Sequence, residues 1–358
     1  MTGSASQAAN IGTTAIRQGY DVDADRLGAW MKEHVADFAG PLSVSQFKGG
    51  QSNPTYRLDT PTRSYVMRRK PPGELLKGAH AVEREARVLS ALGGTGFPVP
   101  HVYGLCTDDT VIGTWFYVMD LVDGRIFWDA RFPDVDRNDR ALYFDAMNET
   151  LARLHSIDIA SAGLSDFGKT GAYYQRQISR WSRAYFEDRD AGRDPLMDRL
   201  IAWLPDHIPP DENVAIIHGD YRCDNMVFDA SSPRIAAVLD WELSTLGDPV
   251  VDFACHAMMY RMPPHIVAGL LDADLEQLGI PGEADYVAAY QARTGRSAMP
   301  HYQFAMAFNF FRMAAIFHGI KGRAIRGTAA SAQARERAAA FPELARLAWQ
   351  QAEQAGAD

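Results

Sequence analysis

The sequence predicts an α+β protein in two parts. A small antiparallel sheet with two helices occupies 21–122, a mainly helical part occupies 123–358, and a flexible lead-in covers 1–20. Three observations lead to this reading. Strand-like runs at 44–47, 55–58 and 64–68 follow closely on one another, the first two separated by Gly49-Gly50-Gln51-Ser52-Asn53-Pro54. Past Gly124 the apolar residues recur at helical spacing over 139–155, 172–186, 284–293, 302–320 and 330–353. One β-rich island, 214–239, interrupts those helices.

The elements of the first part follow in order. Leu27, Trp30, Met31 and Val35 mark one face of a short helix that should pack on the sheet. The 78–93 stretch clusters Val82, Ala86, Leu89 and Leu92 on one side of a second helix, and 116–119 (Phe-Tyr-Val-Met) returns to a strand.

Bulk properties remove several classes of function. The chain has 358 residues, 47% hydrophobic, enough for one large core or two moderate ones. Its net charge of -9 is spread without a long single-sign run, which disfavours generic nucleic-acid binding. Cys106, Cys223 and Cys255 lie far apart and lack metal-ligand spacing, so neither a disulfide framework nor a zinc site is indicated. No apolar run approaches the roughly 20 residues of a membrane span, and the polar start is unlike a secretion signal. A reducing cytoplasm is the expected compartment.

The β-rich island carries the strongest chemical signal. Two short strands, 226–229 and 235–239, are joined by the turn-like Ala230-Ser231-Ser232-Pro233. An antiparallel hairpin has its open ends side by side, so Asn225 and Asp240 should sit about 5 Å apart, as neighbouring strands do. Asp220 lies on the loop feeding that end. Two carboxylates and an amide oxygen suit a hard cation such as magnesium, which needs few protein oxygens when phosphates supply the rest.

His218-Gly219-Asp220, followed by Asn225 and Asp240, resembles the aminoglycoside phosphotransferase and choline kinase superfamily, relatives of the protein kinases. The resemblance implies a two-lobed protein-kinase-like fold, with a small antiparallel β-sheet N-lobe as nucleotide lid and a mainly helical C-lobe. It also implies ATP and magnesium as cofactors and transfer of a phosphoryl group to an alcohol. Asp220 matches the aspartate that orients or deprotonates the acceptor hydroxyl, Asn225 the metal-binding asparagine, and Asp240 the aspartate bridging metal to phosphates. Arg222 stands where many kinases place a cation near the transferring phosphate; the competing reading is a surface arginine. His218 is structural in this pattern, Asp252 braces the catalytic loop, and Asp248 caps a helix.

Gly49, Gly50, Ser52 and Asn53 form a loop whose backbone can approach phosphates, although a plain hairpin turn would look similar. It is neither a Walker A motif nor a Rossmann fingerprint. By period-two alternation Val66, Arg68 and Lys70 share a face. Protein kinases carry lysine where Arg68 stands, and a planar fork is not a point charge. On a helical wheel Glu85 falls beside Leu89 and Leu92, and a carboxylate on a buried face needs a partner, so Glu85 is expected to pair with Arg68. The resemblance assigns Asp120 and Val122 to the hinge, where their backbone would bind adenine.

The stretches FKGGQSNPTYRL, YVMRRKPPGELLKGAH, FPVPHVYGLCTDD, FYVMDLVDGRIFWD and HGDYRCDNMVFD are similar to the kinase-like domain of acyl-CoA dehydrogenase family member 10 and 11-type fusions. That branch implies a hydroxylated acyl acceptor, as an acid or CoA thioester, and a dehydrogenase as candidate partner. Arg176, Arg180 and Arg183, at i, i+4 and i+7 with Tyr173 nearby, and Arg312, Lys321, Arg323 and Arg326 in the later helical region agree with an anionic acceptor, unless the helix face is merely solvated and paired with Glu187, Asp188 and Asp190. The remaining alternatives are an aminoglycoside or choline-type phosphotransferase and a non-catalytic nucleotide-binding scaffold. A protein kinase is disfavoured because WELSTLGDPVVD follows the metal aspartate without an activation-segment pattern.

Overall fold

The computed structural model describes residues 12–48, 53–73, 80–210, 213–267, 269–296, 298–328 and 332–358. It separates into two compact units. Unit 1 takes in Met1–Trp128, Asp158–Phe167 and Cys223–Ser244, and unit 2 takes in Asp129–Ile157, Gly168–Arg222 and Thr245–Asp358. The chain therefore passes from unit 2 to unit 1 between Arg222 and Cys223, inside the His-Gly-Asp to Asn motif.

Unit 1 opens with β1 (Thr13–Thr14), α1 (Ala24–His34), β2 (Ser43–Phe47), β3 (Thr55–Asp59), β4 (Ser64–Arg69), α2 (Val82–Gly93), β5 (Val102–Cys106) and β6 (Phe116–Asp120). The six strands form one sheet in the order β1-β2-β3-β4-β6-β5, every neighbouring pair antiparallel. Asp23 starts α1 by accepting from the backbone N–H groups of Asp25 (3.1 Å) and Arg26 (3.0 Å). Leu27, Trp30, Met31 and Val35 then bury against Tyr56, Leu58, Tyr65, Met67, Phe116 and Val118. Helix α2 buries Glu85, Ala86, Val88, Leu89 and Leu92.

With α1 against Tyr65 and Met67 and α2 beside Arg68, β4 is buried on both faces, so its alternation separates two environments, not core from solvent.

Unit 2 contributes α3 (Arg140–His155), α4 (Tyr173–Glu187), α5 (Pro195–Trp203) and β7 (Ala215–Ile217) before the chain returns to unit 1 for the hairpin β8 (Met226–Phe228) and β9 (Ile235–Val238). Back in unit 2 come β10 (Thr245–Gly247), which pairs antiparallel with β7, then α6 (Pro249–Ala257), α7 (Glu283–Thr294), α8 (Tyr302–Ile325) and α9 (Ala332–Gln354). Helices α8 and α9 make the most extensive packing of the unit, and α8 buries Phe304, Phe308, Phe310, Phe311 and Phe317. Among the described residues no helix is long and apolar enough to cross a membrane.

Candidate active site

In unit 2 the motif loop follows β7. Gly219 has φ +85°, a left-handed conformation that a side chain would strain, and it turns the chain so that consecutive N–H groups face one acceptor. That acceptor is Asp252, in the first turn of α6: its carboxylate takes His218 N (2.7 Å), Gly219 N (2.8 Å) and His155 Nε2 (3.2 Å). Asp252 is fully buried. Burial alone would raise its pKa, but the His155 contact and the His218 N–H hold it below the usual carboxylate range.

The same loop is held from its other side. Arg312, on α8, donates from Nη2 to Gly219 O (2.8 Å) and reaches Cys255 Sγ (3.1 Å), while Tyr221 OH donates to Met147 O (3.0 Å). Asp220 N donates to His218 Nδ1 (3.2 Å), so that nitrogen carries no proton, and the ring is fully buried. His218 thus shapes the loop. The Asp220 and Arg222 side chains are each about a third exposed, with Arg222 Nε 3.4 Å from Asp220 Oδ1. These two expected site residues therefore sit together.

Unit 1 assembles a second group. Arg68 Nε lies 3.1 Å from Glu85 Oε2, and its Nη2 donates to Asp240 Oδ1 (2.8 Å) and Glu242 Oε2 (3.2 Å). Glu85, 1% exposed, also accepts from Asn53 Nδ2 (2.7 Å) and Tyr117 OH (3.1 Å). Burial lifts the Glu85 carboxyl to about 7 against the lowering effect of Arg68. For Arg68 itself burial opposes the charge, yet Glu85 and Asp240 outweigh it and the guanidinium stays protonated. Lys70 turns away, to Glu83 (2.9 Å) and the Trp115 ring.

Hairpin pairing brings Asn225 and Asp240 to one end. Leu239 N donates to Asn225 O (2.8 Å), and the ladder continues Met226↔Val238, Val227↔Ala237. Asp240 has φ +64°, rare for a non-glycine residue, between β9 and a turn closed by the Trp241 indole on Val238 O (3.0 Å). Its side chain is 36% exposed. Among the described residues no three or more His, Cys, Asp or Glu side chains are arranged to hold a metal. A carboxylate and an amide oxygen fit magnesium better than zinc, since magnesium keeps waters and phosphate oxygens as its other ligands.

The other expected contacts divide. Asn53 commits its amide to Glu85 and to His80 Nδ1 (2.9 Å) and is fully buried, so it braces the Arg68 cluster from inside. Gly49, Gly50 and Ser52 lie outside the described residues. The Asp120 N–H is engaged by His101 O (2.9 Å) and its carboxylate by Arg63 Nη2 and Tyr103 OH, both at 2.6 Å; Val122 is half-buried just past β6. Glu242, Tyr117, His80 and Arg312 join these clusters without having been assigned to them. Tyr117 is opposite Arg68 in the β4–β6 register, which is the signal that would have found it.

Asp188 and Asp190 do not pair with the α4 arginines, because Arg326 takes both.

The phosphotransferase enzyme family matches residues 43–292. Mouse acyl-CoA dehydrogenase family member 10 is 40% identical over 340 residues, 94% of this chain and 32% of that protein. Chicken acyl-CoA dehydrogenase family member 11 is 39% identical over 344 residues, 93% of this chain and 44% of that one. The chain thus spans less than half the length of these relatives. A crystal structure from Ralstonia eutropha JMP134, solved as a candidate aminoglycoside phosphotransferase, is 46% identical with a TM-score of 0.86, covering 93% of this chain and 99% of that one. An aminoglycoside phosphotransferase in ternary complex with AMP-PNP and hygromycin B, 15% identical over 93% of this chain and 100% of that one, has a TM-score of 0.59 and shares the fold. The chain belongs to the phosphotransferase enzyme family, with the α+β kinase-like fold of the aminoglycoside phosphotransferases.

Proposed function

We propose that this protein transfers the γ-phosphoryl group of magnesium-ATP to a hydroxyl of a hydroxylated acyl compound, as free acid or CoA thioester. The observation that carries the reading is the Arg68 cluster: one buried guanidinium held by Glu85 and ending on Asp240, as a phosphate-positioning cation needs to be oriented beside a metal-binding carboxylate. The acyl acceptor draws support from the relatives, which are described as acyl-CoA dehydrogenases.

Asp220 receives the acceptor hydroxyl proton as the oxygen bonds to phosphorus and the bond to the ADP oxygen breaks. Arg222 offsets charge on the transferring group and lies 3.4 Å from the Asp220 carboxylate. Asn225 and Asp240 would hold magnesium, which when bound neutralises phosphate charge. Arg68 orients the phosphates, and Asp120 and Val122 offer backbone to adenine; a phosphate role for Gly49, Gly50 and Ser52 rests on the sequence alone. Because its N–H is engaged by His101, Asp120 would use its carbonyl.

A second reading, an aminoglycoside acceptor, is favoured by the 46%-identical Ralstonia protein. ADP release should be followed with hydroxyacyl-CoAs, free hydroxy acids, kanamycin and choline. Turnover of the hydroxylated acyl compounds supports the proposal; kanamycin or choline as the sole good acceptor rejects the acyl assignment, and nucleotide binding without transfer to any acceptor favours a scaffold. Coupled assays with a separate acyl-CoA dehydrogenase would address the candidate partner.

A further inference from the structure

Gly219 and Asp220 share one peptide unit, and that unit is held at both ends. Its carbonyl, Gly219 O, accepts from Arg312 Nη2 (2.8 Å), and its N–H, on Asp220, donates to His218 Nδ1 (3.2 Å). The unit before it is held by Asp252, which accepts from Gly219 N (2.8 Å), and the unit after Tyr221 by His256 Nδ1, which donates to Tyr221 O (3.1 Å). All of these groups belong to unit 2.

Gly219 makes the turn at φ +85°, but glycine does not by itself fix the plane of the peptide that follows, because without a Cβ both orientations of its carbonyl are open to it. Rotating that plane changes the φ of Asp220 and so the direction of its Cα–Cβ bond. The carboxylate would be re-aimed while the chain trace barely moved. Two groups oppose this rotation, and they differ in kind. The His218 ring belongs to the loop and travels with it. Arg312 comes from α8, 93 residues away, and its charge-assisted bond is roughly twice as strong as a neutral one. The same nitrogen reaches Cys255 Sγ (3.1 Å) on α6, which fixes the donor itself. Burial opposes the Arg312 charge, but Cys255, Tyr173, Asp220 and Asp252 outweigh it and keep the guanidinium protonated.

We propose that Arg312 is a positioning residue for phosphoryl transfer: by holding the Gly219 carbonyl it selects the peptide orientation in which the Asp220 carboxylate meets the acceptor hydroxyl. The effect on turnover rests on the phosphotransferase reading above; the locking of the peptide does not.

Arg312→Met and Arg312→Lys in the intact chain test it by two measurements. Amide hydrogen exchange at Asp220 reads the lock: it should be at least about tenfold faster in Arg312→Met, with the rest of α6 and α8 still protected, and close to wild type in Arg312→Lys, which keeps a charged donor. ADP release from magnesium-ATP, with hydroxyacyl-CoAs, free hydroxy acids, kanamycin and choline as acceptors, reads the consequence. Arg312→Met should lose at least about tenfold in kcat per folded molecule while KM for ATP stays within about twofold, and Arg312→Lys should recover most of the rate. If Arg312→Met does not fold, Arg312→Gln, whose terminal nitrogen is two bonds short of the guanidinium's, replaces it. A lower melting temperature with kcat unchanged, an equal loss in ATP affinity, or a lysine variant as slow as the methionine one would overturn the proposal. Wild-type protein that phosphorylates none of the acceptors removes the phosphotransferase reading, and exchange then decides the lock alone: an Asp220 amide unaffected by Arg312→Met overturns it.

Discussion

One guanidinium joins two carboxylates with different surroundings: Arg68 lies 3.1 Å from buried Glu85 through Nε and 2.8 Å from half-exposed Asp240 through Nη2. The planar fork presents a separate nitrogen to each, whereas a lysine would have to serve both from one ammonium. Removing the guanidinium leaves Glu85 without its ion-pair partner, Arg68 being the one cation within ion-pair distance of it among the described residues. Arg68→Met is expected to destabilise unit 1 by about 3 kcal/mol, the usual cost of breaking a buried pair from one side. Urea unfolding measures this, and a loss below about 1 kcal/mol would show that Glu85 is adequately held by Asn53 and Tyr117. Arg68→Lys should fold better than Arg68→Met yet raise KM for ATP.

Asp220→Ala should lower kcat by about 10³-fold or more while nucleotide affinity stays near wild type, because in the proposed mechanism the carboxylate acts on the acceptor proton. Asp240→Asn should instead abolish the magnesium dependence of nucleotide binding. Paired calorimetry and steady-state kinetics separate the two; identical losses in both variants would contradict distinct roles.

Asp252 collects three donors around the motif loop. Asp252→Ala leaves two buried backbone N–H groups and His155 without their acceptor, at a cost of about 3 kcal/mol or more. A thermal melt reads the stability. Activity per folded molecule should also fall, since Asp220 is adjacent to the unpinned backbone, and unchanged kcat would mean the loop is held well enough by Arg312 and Tyr221.

Two buried groups give opposite pH dependences. His256 is buried against Tyr221 O and Tyr286 OH, and burial depresses it from 6.5 to about 4. Its stabilising contribution is complete above pH 6.5 and is lost as pH falls through about 4, because the unfolded chain binds the proton first. Glu85, raised from 4.5 to about 7, contributes below pH 4.5 and loses that contribution as pH rises through about 7. Acidification from pH 6.5 toward 4 should therefore weaken unit 2 and spare the Arg68 cluster. Hydrogen exchange at the two pH values reports each unit separately, and His256→Asn should flatten the response of unit 2.

Much of this arrangement was legible in the residues, for definable reasons. A helical wheel identified Glu85 because burial selects one face of α2, and hairpin geometry joined Asn225 to Asp240 because the turn between their strands is short. Strand β5 escaped because Gly104 interrupts its pattern at a bulge, where a Cβ would approach the Trp30 ring to 3.0 Å. β10 is too short for periodicity to register, and α5 is announced only by Asp194, which caps it, and Pro195. Tyr117 needed cross-strand register, which a linear reading does not supply, and Glu242 lies in the short helical turn after Asp240, where no periodicity marks it. Asn53 misled for a related reason: a polar residue beside a glycine loop looks solvent-facing until burial is known.

The left-handed backbone of Asp240 filters what evolution can do at that position. Glycine and asparagine adopt φ near +64° cheaply, whereas alanine or a branched residue pays about 1 kcal/mol or more. A lineage drifting away from catalysis could therefore discard the charge through Asn or Gly and keep its architecture intact. On the role proposed for Asp240, Asn or Gly here in a homologue would be the expected trace of lost activity, readable from one letter, with the conformational requirement explaining why the alternatives are so few.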